Sequence, residues 1–504
     1  MVGRERMSGV DTAWLRMDRP SNRMMIVAVL VFDRRPDFRR LKRTIGARLA
    51  GYRRFGQKVI VDAKGTWWED DVAFDIDRHV TRAHLTGARG AAELRQMVAR
   101  LAGQPLASGR PLWEFTLVDN YGAGAALVAR IHHCIADGIA LVGVMLSLTD
   151  DTANAPAGRG RRRAARQPDE DHAAGALEQL IEPLAGALKG AARLSGEALE
   201  KYLQVLRDPA QAIRYARVAA QVTEDVAALA AMADDSPTRF KGRPQRRKRV
   251  AWSEPLPLAE VTAVSKALGC SVNDVLLASV AGSLGAYLSA RGDATAGVEV
   301  RAMVPVNLRP PGSTGKLGNR FGLVPLVLPI GIANPFERLY AVRARMGALK
   351  GSYVAPISLA LLEVMGMLPH AVQQEVLDLL AGKATAVMTN VPGPRQPLYL
   401  AGRRIEEIMF WVPQSGNIGM GVSILSYNGG VQFGLITDAR LVPDPERIIA
   451  RFRDEFEKLL LALLMEPWGS PRDPRAIELD LASALRAARS RVSGTPADRA
   501  PLAD

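Results

Sequence analysis

Residues Met24 to Phe32 are apolar without interruption and rich in β-branched side chains, which predicts a buried strand. From Phe38 to Tyr52 the spacing changes to that of a basic amphipathic helix. Trp113 to Val118 and Ala125 to Ile131 again read as buried strands, and Ile139 to Leu148 as an apolar helix. Strand and helix signals thus alternate over residues 1–150, predicting a sheet covered by helices.

The pattern shifts at Asp151. Residues 154–171 hold Arg159, Arg161, Arg162, Arg163 and Arg166 among Gly, Pro and Ala with no apolar period, which reads as an exposed linker. Ala173 to Met232 is rich in Ala, Leu and Glu, predicting two or three helices broken near Asp208-Pro209. Beyond a second basic cluster, Arg239 to Arg249, mixed signals return. Leu256 to Leu268 and Ser271 to Leu288 predict helices, and Val298 to Val306 and Phe321 to Ile330 predict strands. Val422 to Tyr427 and Val431 to Ile436 flank Asn428-Gly429, a strong hairpin signal. Pro445 to Leu464 closes the series as a helix. The expected organisation is an α/β lobe at 1–150, a basic linker and helical crossover at 151–245, a second α/β lobe at 246–470, and a loose tail at 471–504.

The 504 residues, 48% of them hydrophobic, suffice for more than one core. Lys and Arg number 66 against 52 Asp and Glu, a net charge of +14, which suits phospholipid headgroups or a polyphosphate-bearing substrate. Nucleic acid is disfavoured, because no nucleic-acid fold or interleaving of aromatic and basic residues accompanies the charge. Two cysteines, Cys134 and Cys270, exclude a disulfide scaffold and any four-cysteine metal site, and no metal is expected. The best apolar runs, Ile139 to Leu148 and Leu323 to Ile332, are about half the roughly 20 residues that span a bilayer. The N-terminus lacks the apolar core of a secretory signal. A cytoplasmic protein that meets membranes only at their surface is expected.

The signatures of serine hydrolases, P-loop NTPases and zinc proteases are missing from the sequence. What stands out is His132-His133-Cys134-Ile135-Ala136-Asp137-Gly138, between a predicted strand and a predicted helix, in a chain with six histidines. Alternation along a strand aims His132 and His133 at opposite faces, so only one can serve a given cleft. A neutral imidazole can accept and return a proton near neutrality. Asp137 suits a helix cap or an arginine partner, with Arg309 as a candidate, and Gly138 suits close approach of a ligand to the backbone. Cys134 points away from its neighbour and reads as a packed thiol.

The string His132-His133-x-x-x-Asp137-Gly138 resembles the signature of the condensation-type, CoA-dependent acyltransferase superfamily. Further segments are similar to the bacterial wax ester synthase/diacylglycerol acyltransferase family: Val10-Asp11-Thr12-Ala13-Trp14-Leu15, Phe74 to Val80, Pro111-Leu112-Trp113-Glu114, Ser271-Val272-Asn273-Asp274-Val275, Gly318-Asn319-Arg320, Thr389 to Pro394 and Ser426 to Gly429. They occur in family order from about residue 7 to 465. The chain departs from the family at Pro105-Leu106-Ala107 and in the basic insert Arg159 to Asp171.

The resemblance implies two chloramphenicol-acetyltransferase-like lobes with an active-site channel between them. It implies acyl transfer from fatty acyl-CoA, a co-substrate rather than a cofactor, to diacylglycerol or a long-chain alcohol. His133 is then the general base, with His132, Asp137 and Gly138 in support. Backbone N–H groups near Gly138 and the amide of Asn273 are candidate oxyanion donors, and Asp274 and Arg309 are candidate structural supports. Ser271, Asn273 and Asp274 equally fit a plain helix cap. A protein of this kind is expected at the inner membrane surface or on lipid bodies. The alternatives are transfer to an amine or from a carrier protein, and a lipid-surface binding protein without turnover.

Overall fold

The uninterrupted apolar run near the N-terminus becomes a central strand because both of its faces are covered. Ile26, Ala28, Leu30 and Phe32 enter one core, and Met25, Val27 and Val29 enter another on the opposite side of the sheet. The computed structural model describes residues 3–155, 232–308, 318–350, 354–367, 373, 382–465, 475, 478–479 and 482–483. The predicted helical crossover at 173–232 falls almost wholly outside these residues, as do Arg309 and most of the tail.

In chain order the elements are β1 (Arg4–Arg6), α1 (Gly9–Arg16), β2 (Met25–Phe32), α2 (Phe38–Leu49), β3 (Gln57–Asp62), β4 (Gly65–Asp70), β5 (Val80–Ala83), α3 (Ala91–Gly103), β6 (Trp113–Tyr121), β7 (Gly124–His132) and α4 (Gly138–Ser147). The second half holds β8 (Lys248–Trp252), β9 (Leu256–Pro257), α5 (Leu258–Ala267), α6 (Val272–Ala290), β10 (Val300–Asn307), β11 (Phe321–Leu328), α7 (Pro335–Lys350), α8 (Val354–Met367), β12 (Ala386–Pro392), β13 (Tyr399–Leu400), β14 (Arg403–Trp411), β15 (Met420–Tyr427), β16 (Gly430–Asp438) and α9 (Glu446–Met465).

The first sheet runs β13-β14-β2-β7-β6-β5 and is antiparallel except for the β5 and β6 pair. The second runs β11-β10-β12-β15-β16-β8, with β9 also on β16. A small sheet, β1-β4-β3, stands apart. The division at residue 246 therefore needs correcting at the level of strand pairing. Strands β13 and β14 belong by sequence to the C-terminal segment but pair onto the N-terminal sheet, Trp411 opposite Val27 and Phe410 opposite Ala28. Hydrogen bonding to β2 and burial of Phe410 and Trp411 outweigh chain proximity.

Helix α6 is long and apolar enough to cross a membrane by length and composition, although no single apolar run in the sequence had suggested it. Most of it is buried inside the protein, as a core helix of the second lobe. The hairpin of β15 and β16 turns at Asn428 and Gly429, whose φ values of 48° and 81° are the left-handed pair a two-residue hairpin turn demands.

Candidate active site

The end of β7 delivers both histidines into a turn with their backbones fixed from opposite sides. The His132 N–H donates to Leu112 O (2.9 Å), ahead of β6, and the His133 N–H donates to Met24 O (2.7 Å), ahead of β2. Both rings are buried. His132 Nδ1 accepts from the Cys134 N–H at 3.2 Å, and its Nε2 lies 4.0 Å from Asp18. Burial pulls the His132 pKa down to about 4, with Asp18 opposing. Cys134 is fully buried, and that burial raises its thiol pKa, as fits a packed residue.

The ring of His133 packs against two aromatic side chains that also stack on each other, 5.6 Å between centroids. Trp14, from α1, lies 4.3 Å away between centroids and Phe321, at the start of β11, 5.5 Å away. Burial lowers this imidazole to about 4 as well, against the raising effects of Asp137, its own carbonyl and Asn319. His133 Nδ1 is buried without a hydrogen-bond partner among the described residues, as is Asn319 Oδ1. The other end of that amide is busy: Asn319 Nδ2 donates to His133 O (2.9 Å) and to Asp11 Oδ1 (2.8 Å). One side chain thus joins α1, the histidine turn and the segment leading into β11.

Asp137 is the N-cap of α4, its Oδ1 accepting from the Ala140 N–H at 2.9 Å. Its Oδ2 accepts from the Arg320 N–H at 3.0 Å, a second tie to the segment before β11. Gly138 opens α4, and a Cβ placed on it would meet only Val412 Cγ1, at 3.7 Å, so the fold itself has room for a side chain there.

An apolar cavity begins at Gly138. It lies between α4 and the first sheet, with Gly393, Pro394 and Leu425 to Tyr427 closing it from the second. Ile131, two residues before His133, is in its wall, whereas the His133 ring is covered by Trp14 and Phe321.

The other sequence candidates sit elsewhere. Asn273, in the first turn of α6, accepts from Asn390 Nδ2 at 2.6 Å and is not among the residues lining the cavity. Asp274 forms a capping box with Ser271, its Oδ2 accepting from the Ser271 N–H at 2.9 Å while its own N–H donates to Ser271 Oγ at 3.1 Å. His79 is structural, with Nδ1 against Trp113 O at 2.8 Å and its ring stacked on that indole. Sequence reasoning assigned no role to Asp11, Trp14, Asn319 or Phe321. The first three lie in segments quoted for the family resemblance, but Asp11 and Asn319 are 308 positions apart, and only the fold reveals that they meet.

Residues 7–276 match the wax ester synthase/diacylglycerol acyltransferase catalytic domain, and residues 317–460 the C-terminal domain of the same family. A Mycobacterium tuberculosis H37Rv protein named a probable diacylglycerol O-acyltransferase is 28% identical over 435 residues, covering 84% of this chain and 88% of the relative. Another protein of that strain, also named as a diacylglycerol O-acyltransferase, is 26% identical over 492 residues, 92% of each chain. Among solved structures, a wax ester synthase/diacylglycerol acyltransferase from Marinobacter aquaeolei VT8 superposes with a TM-score of 0.63 at 19% identity, over 92% of this chain and 100% of that one. The first condensation domain of the calcium-dependent antibiotic synthetase superposes at 0.56 and 16% identity, over 94% and 98%, a likeness of fold. With both family domains matched in order across most of its length, this chain belongs to the wax ester synthase/diacylglycerol acyltransferase family, and it is an acyltransferase.

Proposed function

We propose that this protein transfers a fatty acyl group from acyl-CoA to the free hydroxyl of diacylglycerol or of a long-chain alcohol, with His133 as general base and no cofactor beyond the acyl-CoA co-substrate. The observation that carries the reading is the junction at Gly138, where a neutral imidazole's turn meets an apolar cavity. With its pKa held near 4, His133 is unprotonated at neutral pH and free to accept a proton.

In the proposed step His133 takes the hydroxyl proton as that oxygen attacks the thioester carbonyl carbon. The tetrahedral intermediate collapses, the carbon–sulfur bond breaks, and the imidazolium returns the proton to the departing CoA thiolate. Thioester and alcohol become ester and thiol, and the enzyme ends as it began. The developing oxyanion is matched by the N-terminus of α4. Asp137 already satisfies the Ala140 N–H, whereas the N–H of Gly138, at the first helical position, has no acceptor within the helix and lies at the positive end of its dipole. Removing one such donor in comparable sites costs on the order of 3 kcal/mol.

A lipid acceptor is met at a lipid surface, and the protein is read as peripheral to the cytoplasmic face of the membrane or to lipid bodies. Supporting this are the net charge of +14 and two exposed basic stretches, Arg34, Arg35, Arg39 and Arg43 around α2 and Arg243, Arg246, Arg247 and Arg249 before and within β8. The test is one incubation of palmitoyl-CoA with the protein, offered dioleoylglycerol, hexadecanol and hexadecylamine together. CoA thiol release that requires an acceptor, with ester products on the chromatogram, is expected. His133→Ala should abolish release while leaving the thermal midpoint within a few degrees. Amide as the main product would move the reading to condensation chemistry, and lipid binding without thiol release to a protein that has lost turnover.

A further inference from the structure

The cavity that starts at Gly138 has an axis. Along α4 its wall is Gly138, Leu141, Val142, Met145 and Leu146, followed by Thr149, spacings of three and four that form one stripe of the helix. Eight steps of 1.5 Å from Gly138 to Leu146 make the helical part of this wall about 12 Å long, and Thr149 extends it past the helix end. The facing wall is built of strand rungs. Ile26 pairs with Ile131 nearest the histidine turn, Ala28 with Ala129 and Phe410 in the middle, and Leu30 with Ile408 at the far end. The four steps of strand from Ile26 to Leu30 span about 13 Å. Two independent walls therefore give a slot of similar length running away from His133.

The slot offers nothing to a polar guest. Its lining hydroxyls are turned to partners in the protein: Thr149 Oγ1 donates to Leu146 O (2.8 Å), Ser426 Oγ accepts from the Gly393 N–H (3.1 Å), and Tyr427 OH accepts from the Leu398 N–H and donates to Ile405 O, both at 2.8 Å. The far end is braced. Asp150, next to Thr149, exchanges backbone hydrogen bonds with Tyr399 (2.7 and 2.8 Å), and its carboxylate pairs with the buried Arg48 at 2.7 Å. That guanidinium also binds Leu148 O.

From these observations we infer that the slot between α4 and the first sheet holds one unbranched hydrocarbon chain, reacting head at Gly138 and methyl end toward Thr149, and that Ala28 and Met145 set the length it accepts. The inference rests on the acyl-transfer reading and assigns that reaction's chain-length selectivity to named residues. Ala28 is a small side chain in the middle of the strand wall, where a larger one would project into the slot, and Met145 lies in the far half of the helical wall. The chain belongs either to the acyl donor or to a long-chain alcohol.

The experiment uses the full chain, wild type, Ala28→Ile and Met145→Ala, each checked by thermal unfolding. One series varies acyl-CoA from C8 to C20 with dioleoylglycerol fixed, and a second varies the alcohol from C8 to C20 with palmitoyl-CoA fixed. Ala28→Ile should lower kcat/KM for C16 relative to C8 at least tenfold, and Met145→Ala should raise C20 relative to C16 several-fold, both in the same series. Movement in the donor series places the acyl chain in the slot, and movement in the alcohol series the acceptor. Unmoved profiles in both variants overturn the inference. Binding of cis-parinaric acid, a fluorescent fatty acid, is read in parallel. If the wild type shows no turnover, the acyl-transfer reading fails, yet tenfold weaker binding by Ala28→Ile still supports the slot, and unchanged binding overturns it. If Ala28→Ile unfolds, Met145→Ala decides alone.

Discussion

Two histidines side by side in the interior make the site sensitive to acid. In the unfolded chain an imidazole takes up a proton as the pH falls below about 6.5. In the folded protein burial holds His132 and His133 to about 4, and burial lowers His79 as well. Between those limits the unfolded state binds more protons than the native state, so stability is full above about 6.5 and is lost as the pH falls toward 4. For His132 and His133 the contribution is on the order of 3 kcal/mol each. The urea midpoint should therefore drop markedly from pH 7.5 to pH 5, and His132→Asn should reduce that drop. Equal midpoints at the two pH values would show that these rings are solvated rather than buried. Asn319 acts at the same scale: a single amide fixes the His133 carbonyl and Asp11 together, which sets the plane of the turn beneath the imidazole.

Helix α4 is where local sequence and distant chain meet, through the two oxygens of Asp137. Oδ1 caps the helix and Oδ2 holds the Arg320 N–H. An N-cap is worth about 1 kcal/mol, and a hydrogen bond to a charged acceptor about 1.5–3 kcal/mol. Asp137→Asn keeps a capping oxygen but turns an NH2 group toward the Arg320 N–H, so it loses the tie alone. Asp137→Ala loses both. Denaturant midpoints should rank wild type above Asp137→Asn and that above Asp137→Ala; coincidence of wild type with Asp137→Asn would mean that the tie contributes nothing, and coincidence of the two variants that the cap contributes nothing. The difference also marks what a sequence discloses. The cap, the hairpin at Asn428-Gly429 and the apolar course of β2 depend on neighbours a few residues away, and all were legible. The motif His132 to Gly138 stood out as a candidate site for the same reason. The Arg320 tie, the Asn319 bracket and the aromatic pair around His133 arise from segments up to 308 positions apart, which no local period encodes. Strand β14, with Arg403, Arg404, Glu406 and Glu407 in its first half, hides its partner still further away in β2.

The placement of β14 decides how the whole molecule should come apart. It is hydrogen-bonded to β2 in the first sheet while its chain leads directly into β15 of the second. Without it β2 would present an edge of eight apolar residues, Met25 to Phe32, to solvent. Other joints cross the same boundary. Asn22, buried just before β2, donates to Gly416 O (2.8 Å) and Ile418 O (3.0 Å) and accepts from the buried Lys248 of β8 at 2.6 Å. Val250, Trp252 and Ile436 of the second sheet share a core with Met25, Val27 and Val29 of the first. Two lobes tied only by a linker would unfold in separate steps, but here removing the second lobe strips the first of a strand, a core wall and the supports of the histidine turn, and removing the first leaves β14 without its sheet and Val250, Trp252 and Ile436 without their core. Calorimetry should show one transition for the described core, coincident with loss of near-ultraviolet circular dichroism. Residues 1–155 expressed alone should aggregate, because the β2 edge is then open. Two resolved transitions, or a soluble and cooperatively folded 1–155 fragment, would show that the lobes are independent and that β14 is a surface addition to a sheet already complete.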